Sequence, residues 1–268
     1  MKERTDNAAS HWMLLRGDAL SCARAFPSES FDLLYADPPF FTGRSHRVLE
    51  GGSFPDGRAG GMEGYLAWLE PRMVEMRRLL APSGSLFVHL DWHASHAVKL
   101  LLDRIFGPRR FVNEIVWAYR TGGTSGRRLA RKHDTIFFYS RSAEYKFHPL
   151  RERSDLRHDY GFANANVQRD ERGPFRMTLM RDVWEIPALR GNMPERVAYP
   201  TQKPLALLRR IVRLASDPGD LIGDFFCGSG TTVAAALLER RKGVGADVEP
   251  GALRIAAARL HAIEPRLL

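Results

Sequence analysis

Short apolar runs alternate along this chain with amphipathic stretches, and that alternation restricts the fold more than any other feature. MLLRGDAL (13–20) reads as a strand ending in a turn. FDLLYADPPF (31–40) is a second strand, stopped by two prolines that cannot donate to a ladder. YLAWLEPRMVEMRRLL (65–80) has helical spacing, Pro82-Ser83-Gly84 marks a turn, and SLFVHL (85–90) is a strand. SHAVKLLLDRIF (95–106) is a helix closed by Gly107-Pro108. FVNEIVWAYR (111–120) and DTIFFYS (134–140) read as neighbouring strands joined by a Gly/Arg loop. Near the C-terminus come helix 204–216, buried strand 220–228, helix 231–241, strand 243–248 and helix 252–263. Strands that alternate with helices imply βαβ units, an α/β fold and a mostly parallel sheet.

Two segments break the pattern. Residues 42–64 hold seven glycines and one proline and read as a mobile loop. Residues 144–198 are polar, rich in Arg and Asn, and without clear periodicity, which suggests an insertion into the fold.

In parallel sheets, ligands sit beyond the carboxyl ends of the strands. Asp18, Asp37 to Phe40, Asp224 to Gly230, and Asp247 each follow a predicted strand. Asp37-Pro38-Pro39-Phe40 is the strongest local signal. The exocyclic amine of adenine or cytosine is a weak nucleophile because its lone pair is delocalised into the ring. A carboxylate and a backbone carbonyl that accept its two N–H groups turn that lone pair toward a methyl donor and stabilise the developing positive charge. Pro38 and Pro39 supply a rigid, donor-free turn. Phe40 can stack on a base taken out of the duplex.

The run Asp224-Phe225-Phe226-Cys227-Gly228-Ser229-Gly230-Thr231 is a glycine-rich strand-to-helix turn that lets a ligand lie against backbone. Val233 stands where the dinucleotide fingerprint needs its third glycine, which disfavours a pyrophosphate and a nicotinamide dehydrogenase. Asp247, at the end of the next strand, is placed to accept from a ribose diol.

Cys22 and Cys227 are the two cysteines. They can build no disulfide framework, and no metal-ligand spacing is visible, so no metal is expected. Ring-carbon methylation of cytosine needs a thiolate, and both cysteines read as small core residues. The N-terminal MKERTDNAAS lacks a signal-peptide core and no apolar run reaches a membrane span, so a cytoplasmic location is expected.

The motifs occur in a telling order. Gly17-Asp18, Asp37 to Phe41, Gly84 to Trp92, Asn113 to Trp117, Lys132-His133-Asp134, Tyr199 to Pro204 and Phe226 to Thr231 follow one another from end to end. This set resembles the SAM-dependent DNA amino-methyltransferases (adenine-N6 or cytosine-N4), in the permuted β group whose catalytic motif precedes the S-adenosylmethionine (SAM) motif. The resemblance implies a Rossmann-like methyltransferase sheet, mostly parallel with one antiparallel strand, plus a small inserted target-recognition segment. It implies a catalytic half over 1–120, a basic loop and recognition insert over 121–198 that includes a core strand near 134–140, and a SAM-binding half over 199–268. Asp37, Pro38, Pro39 and Phe40 are the expected catalytic group. Asp224, Phe226, Gly228, Ser229, Gly230, Thr231 and Asp247 are the expected SAM contacts. Asp18 is expected near the adenine ring, and Thr201 with Lys203 at the methionine end. Phe40 replaces the family's usual Tyr, and Phe225 replaces the usual Pro after Asp224. The leading Asp37 favours adenine-N6 over cytosine-N4.

DNA is the expected partner. The chain carries 40 Lys+Arg against 31 Asp+Glu, a net of +9. Residues 120–160 hold ten Lys/Arg and five Asp/Glu, over half of that excess. Arg120, Arg127, Arg128, Arg131 and Lys132 are candidate DNA contacts, with Arg44 and His46 from the glycine-rich loop. A homodimer and a cognate restriction enzyme are further possible partners that the family brings. A non-catalytic DNA-binding protein on the same fold is the alternative that the intact Asp37 motif argues against.

Overall fold

The computed structural model describes residues 4–5, 11–43, 45–47, 53–55, 59–120, 123–156, 166–197 and 199–263. Its first half holds strands β1 (Arg4–Thr5), β2 (Trp12–Arg16), β3 (Phe31–Ala36), β4 (Ser45–Arg47), β5 (Ser53–Pro55), β6 (Leu80–Leu90) and β7 (Phe111–Ala118). Helices α1 (Ala19–Ala23), α2 (Gly61–Leu79) and α3 (Ser95–Phe106) lie between them. Then come β8 (His133–Ser140), β9 (Arg151–Asp155), β10 (Gln168–Asp170), β11 (Gly173–Leu179) and β12 (Val183–Glu185). The chain ends with α4 (Leu205–Ala215), β13 (Leu221–Asp224), α5 (Thr231–Leu238), β14 (Lys242–Asp247) and α6 (Pro250–Ile263).

A nine-stranded sheet in the order β1-β2-β14-β13-β3-β6-β8-β7-β12 organises the molecule. Strands β2, β14, β13, β3 and β6 pair in parallel, and β8 runs against both β6 and β7. The expected mostly parallel sheet with an antiparallel core strand is therefore present; the two-residue β1 is antiparallel as well.

Both faces of the sheet are covered, which explains why its central strands read as nearly continuous apolar runs. Along β3, Leu34 and Ala36 enter a core with Leu69, Met73 and Met76 of α2 and Val98 and Leu102 of α3. Leu33 and Tyr35 point the other way, into a core with Leu207, Leu208, Ile211 and Val212 of α4 and Ala235 and Ala236 of α5. Each Leu, Ile or Val so buried contributes roughly 1.5–3 kcal/mol. Among the described residues no helix is long and apolar enough to cross a membrane.

Several elements differ from the sequence reading. The glycine-rich stretch 42–64 contains a small β4–β5 hairpin pairing and the first turn of α2, so it is not wholly a loop. The turn at Pro82-Ser83-Gly84 lies inside β6, where the register with β3 jumps from Phe31↔Leu80 to Leu33↔Ser85. The polar segment 144–198 folds into a three-stranded antiparallel sheet, β10-β11-β9, and then adds β12 to the edge of the main sheet through β7. Trp184 of β12 is buried in the core beneath α4, and Trp117 donates its indole N–H to the Ile186 carbonyl at 2.8 Å.

From β3 the chain crosses to β6 on one side, and from β13 it crosses to β14 on the other. The gap between the carboxyl ends of β3 and β13 is the switch point at which open α/β sheets bind ligands. Asp37 follows β3 there, and Asp224 closes β13 beside it, its strand paired with Tyr35.

Candidate active site

A cleft of ≈ 380 Å³ opens at that switch point. Asp18, Asp37, Pro38, Pro39, Phe40, Thr201, Lys203, Asp224, Phe226, Gly228, Ser229, Thr231 and Asp247 all line it, so the fold gathers all but one of the expected catalytic and SAM residues. Gly230 is the exception. It stands behind the cleft as the N-cap of α5 with φ +73°, and a Cβ there would meet Ala256 Cβ at 2.8 Å. Its freedom lets α6 close against the turn.

Asp37 presents two different oxygens. Oδ2 accepts from Lys203 Nζ at 2.5 Å, and Oδ1 is buried with no hydrogen-bond partner. A buried, unpartnered carboxylate oxygen is costly unless a ligand donor fills it. Lys203 Nζ also sits 4.9 Å from the centroid of the Phe40 ring. Thus Lys203, expected at the methionine end, is held at the Asp37 carboxylate. The next residue, Phe41, adopts φ +60°, an uncommon conformation for an aromatic residue, and packs on Tyr65.

Behind Phe40 lies a polar chain that no sequence argument assigned. The His89 ring is 5.6 Å from Phe40 and fully buried. Its Nδ1 is 2.6 Å from the Tyr35 hydroxyl, and its Nε2 is 3.2 Å from Asp134 Oδ2. Tyr119 donates to Asp134 Oδ1 at 2.9 Å. Burial pushes Asp134 up, but the hydrogen bond and charge of His89, with Lys203 and Tyr119, outweigh it and hold the carboxyl below its ordinary range. His89 and Asp134 fall within the sequence motifs, yet only pairing across β6 and β8 brings them together.

On the opposite wall, Asp224 Oδ1 accepts from Phe226 N–H at 3.0 Å and Oδ2 from the Thr232 hydroxyl at 2.5 Å. Asp247 Oδ2 accepts from Gly228 N–H at 2.8 Å and Oδ1 from Glu249 N–H at 2.9 Å. Both carboxylates thus shape the glycine turn as well as face the cleft. Gly228 adopts φ +49°, and a Cβ there would meet the Tyr199 ring at 2.8 Å. Asp18 caps α1 through Leu20 N–H at 3.0 Å and pairs with Arg72 at 2.5 Å. Trp68, Tyr199 and Glu249 also line the cleft and were not picked out as contacts. Trp68 is carried in by α2 and packs 6.1 Å from Phe226. Cys227 reaches the cleft too, but burial pushes its thiol well above the ordinary range, so it is no thiolate nucleophile.

The lining contains five carboxylates (Asp18, Asp37, Asp224, Asp247 and Glu249) against one lysine, in a chain of net charge +9. Such a cleft suits a ligand that carries positive charge on an apolar and aromatic body, as the sulfonium and ammonium groups of SAM do. Among the described residues no cluster of His, Cys, Asp and Glu could hold a metal ion.

Of the expected DNA contacts, Arg120, Arg127, Arg128 and Arg131 are exposed and Lys132 is half-buried. They occupy the arm between β7 and β8, which leaves the sheet at the same carboxyl edge as Asp37. Arg44 lies outside the described residues, as does the side chain of His46.

Residues 31–258 match the sequence model of the N6/N4 methyltransferase family, described as DNA methylase. The chain belongs to this family of DNA methyltransferases. It is 28% identical over 250 residues to the DNA adenine methyltransferase YhdJ of Escherichia coli (strain K12), covering 92% of this chain and 82% of that protein. In structure it resembles the PvuII DNA methyltransferase (cytosine-N4-specific), with TM-score 0.68, 19% identity, and coverage of 96% of this chain and 93% of that one. It also resembles a putative DNA modification methylase from Thermus thermophilus complexed with S-adenosyl-L-methionine. The TM-score there is 0.62 at 22% identity, over 93% of each chain.

The methyl donor of this methyltransferase is SAM, and we propose that it binds against the carboxylate-rich wall. That wall makes SAM affinity pH-dependent. Burial pushes Asp224 up to about 7, partly relieved by the Thr232 hydroxyl and Phe226 N–H. A cationic ligand favours the ionised carboxylate, so binding releases a proton below that pH. SAM affinity measured by calorimetry therefore rises with pH up to about 7 and then levels. Asp224→Asn flattens the profile; a wild-type affinity that is constant or falls over this range contradicts the assignment. Folding alone has the opposite sign. The unfolded carboxyl ionises near 3.8, so this residue's contribution to stability falls as pH rises from there toward 7.

Proposed function

We propose that this DNA methyltransferase methylates the exocyclic N6 of adenine in a base flipped out of the duplex. The observation that carries the reading is Asp37, a cleft-lining residue: one oxygen is fixed by Lys203 and the other is buried without a hydrogen-bond partner. Oδ1 accepts one N–H of the amino group and the Pro38 carbonyl accepts the other, which frees the nitrogen lone pair. Phe40 stacks on the extruded ring, and Lys203 stops the carboxylate from rotating away. SAM supplies the electrophilic methyl carbon. As the N–C bond forms, the bond from the methyl carbon to the donor's sulfur breaks and the neutral thioether S-adenosylhomocysteine leaves. The amino nitrogen becomes cationic and then sheds one proton, for which Asp37 Oδ1 is the neighbouring acceptor.

Adenine is favoured by the Asp at the head of the motif and by the naming of the Escherichia coli relative. The likeness to the cytosine-N4-specific enzyme is one of fold. The basic arm holds the duplex, and a cytoplasmic location and pairing with a restriction enzyme belong to the same reading. Incubation with SAM and unmethylated plasmid DNA, followed by mass spectrometry of the nucleosides, tests it. N6-methyladenine is expected. N4-methylcytosine as the product overturns adenine specificity while leaving the amino-group chemistry standing.

A further inference from the structure

Leu129 is 91% exposed, the most exposed large apolar side chain among the described residues. It sits in a run of cations, Arg127-Arg128-Leu129-Ala130-Arg131-Lys132, on the arm that joins β7 to β8. No core position explains it: its neighbours from Gly123 to Arg131 are all exposed.

The arm is fixed at its base and bare at its tip. Tyr119 N–H donates to the Lys132 carbonyl at 2.9 Å, which closes the arm where the strands diverge. The Arg131 guanidinium lies 3.3 Å from the centroid of the Trp92 ring, just beyond the carboxyl end of β6. The His93 ring lies against the same ring, tilted at 34° with centroids 3.7 Å apart, and Asp91 holds His93 at 2.6 Å. Trp92 is thus occupied by the protein's own groups, while Leu129, two residues before Arg131, projects free.

Its place relative to the catalytic motif is set by the sheet. Strand β6 lies between β3, which delivers Asp37, and β8, into which the arm runs. Neighbouring strands are roughly 4.8 Å apart. Asp134, two residues beyond Lys132, contacts His89, and His89 packs behind Phe40. The arm therefore rises from the rim of the cleft that receives the base.

We propose that Leu129 is the wedge that enters the base stack when the target nucleotide leaves it. This rests on the reading of the chain as a base-flipping DNA methyltransferase. A flipped base leaves an apolar gap between its stacked neighbours and an unpaired partner. An apolar side chain can fill that gap, and flanking cations keep it there by holding the phosphates on either side. Arg127, Arg128, Arg131 and Lys132 supply those cations. The role is one of positioning: Leu129 touches neither the methyl donor nor the reacting nitrogen.

The test uses the full chain and a DNA duplex that carries a methylation site mapped with the wild-type enzyme. The duplex is made in two forms, with the target base normally paired or opposite an abasic position. SAM affinity checks that each variant is folded. On the paired duplex Leu129→Ala is expected to lose about tenfold in kcat/KM, the scale of one lost stacking contact. On the abasic-opposed duplex, where opening is nearly free, it matches the wild type. Leu129→Met, which still offers an apolar wedge, keeps the paired activity. The proposal is overturned if Leu129→Ala equals the wild type on the paired duplex, or if it is equally slow on both. Leu129→Met as slow as Leu129→Ala on the paired duplex also overturns it. A wild-type enzyme that methylates neither duplex while binding SAM contradicts the DNA reading itself, and the wedge falls with it.

Discussion

Asp37→Ala lowers the rate of methyl transfer by roughly 10³-fold while leaving SAM affinity nearly unchanged. The asymmetry follows from which atoms are engaged. Among the described residues, Asp37 Oδ1 is the one carboxylate oxygen that is buried without a hydrogen-bond partner. The wall proposed for SAM, built from Asp224, Asp247 and the glycine turn, is held by its own backbone hydrogen bonds, none of which involves Asp37. Removing the carboxylate leaves Lys203 without its partner. Lys203 and Asp37 are 11% and 16% exposed, so the penalty is that of a partly screened pair, about 1–3 kcal/mol. The variant folds, and single-turnover transfer of labelled methyl isolates the chemical step. A variant that keeps a tenth or more of wild-type activity contradicts the clamp.

Lys203→Met separates two accounts of one side chain. The family resemblance places Lys203 at the methionine end of SAM, so its loss would raise KM for SAM. The structure places Nζ 2.5 Å from Asp37 Oδ2 and 4.9 Å from the Phe40 centroid, so its loss frees the carboxylate and removes positive charge from beside the base. The geometry predicts a fall of about 10²-fold in kcat with little change in KM for SAM. Lys203→Arg keeps the charge but not the point geometry and recovers only part of the rate. Steady-state kinetics varied in SAM at saturating DNA decide it. A rise in KM with kcat unchanged restores the methionine-end role.

Much of this site could be read from the chain because its pieces are local. The strand ends at Asp37, Asp224 and Asp247 show in apolar runs that stop at a carboxylate, with two prolines after Asp37 and a glycine turn after Asp224. What was hidden depends on pairing over long distances. Lys203 meets Asp37 across 166 positions and Arg72 meets Asp18 across 54, and no periodicity encodes such contacts. The five-residue α1 is too short for helical spacing to register. Strands β9, β10 and β11 are partly exposed or polar on both faces, so they lack the alternation that marks a half-buried strand. β12 is seen only as one buried Trp184 between exposed Val183 and Glu185. Gly230 matched the motif by spacing, but spacing cannot distinguish a glycine that faces a ligand from one that faces Ala256.

The central claim is direct attack by an exocyclic amino group that Asp37 holds. DNA labelled with ¹⁵N at the exocyclic amines, methylated from SAM carrying a ¹³C methyl group, tests it most directly. The account predicts one-bond ¹³C–¹⁵N coupling in the methylated nucleoside. A product whose methyl carbon is bonded to ring carbon, or to a nitrogen without the label, contradicts it.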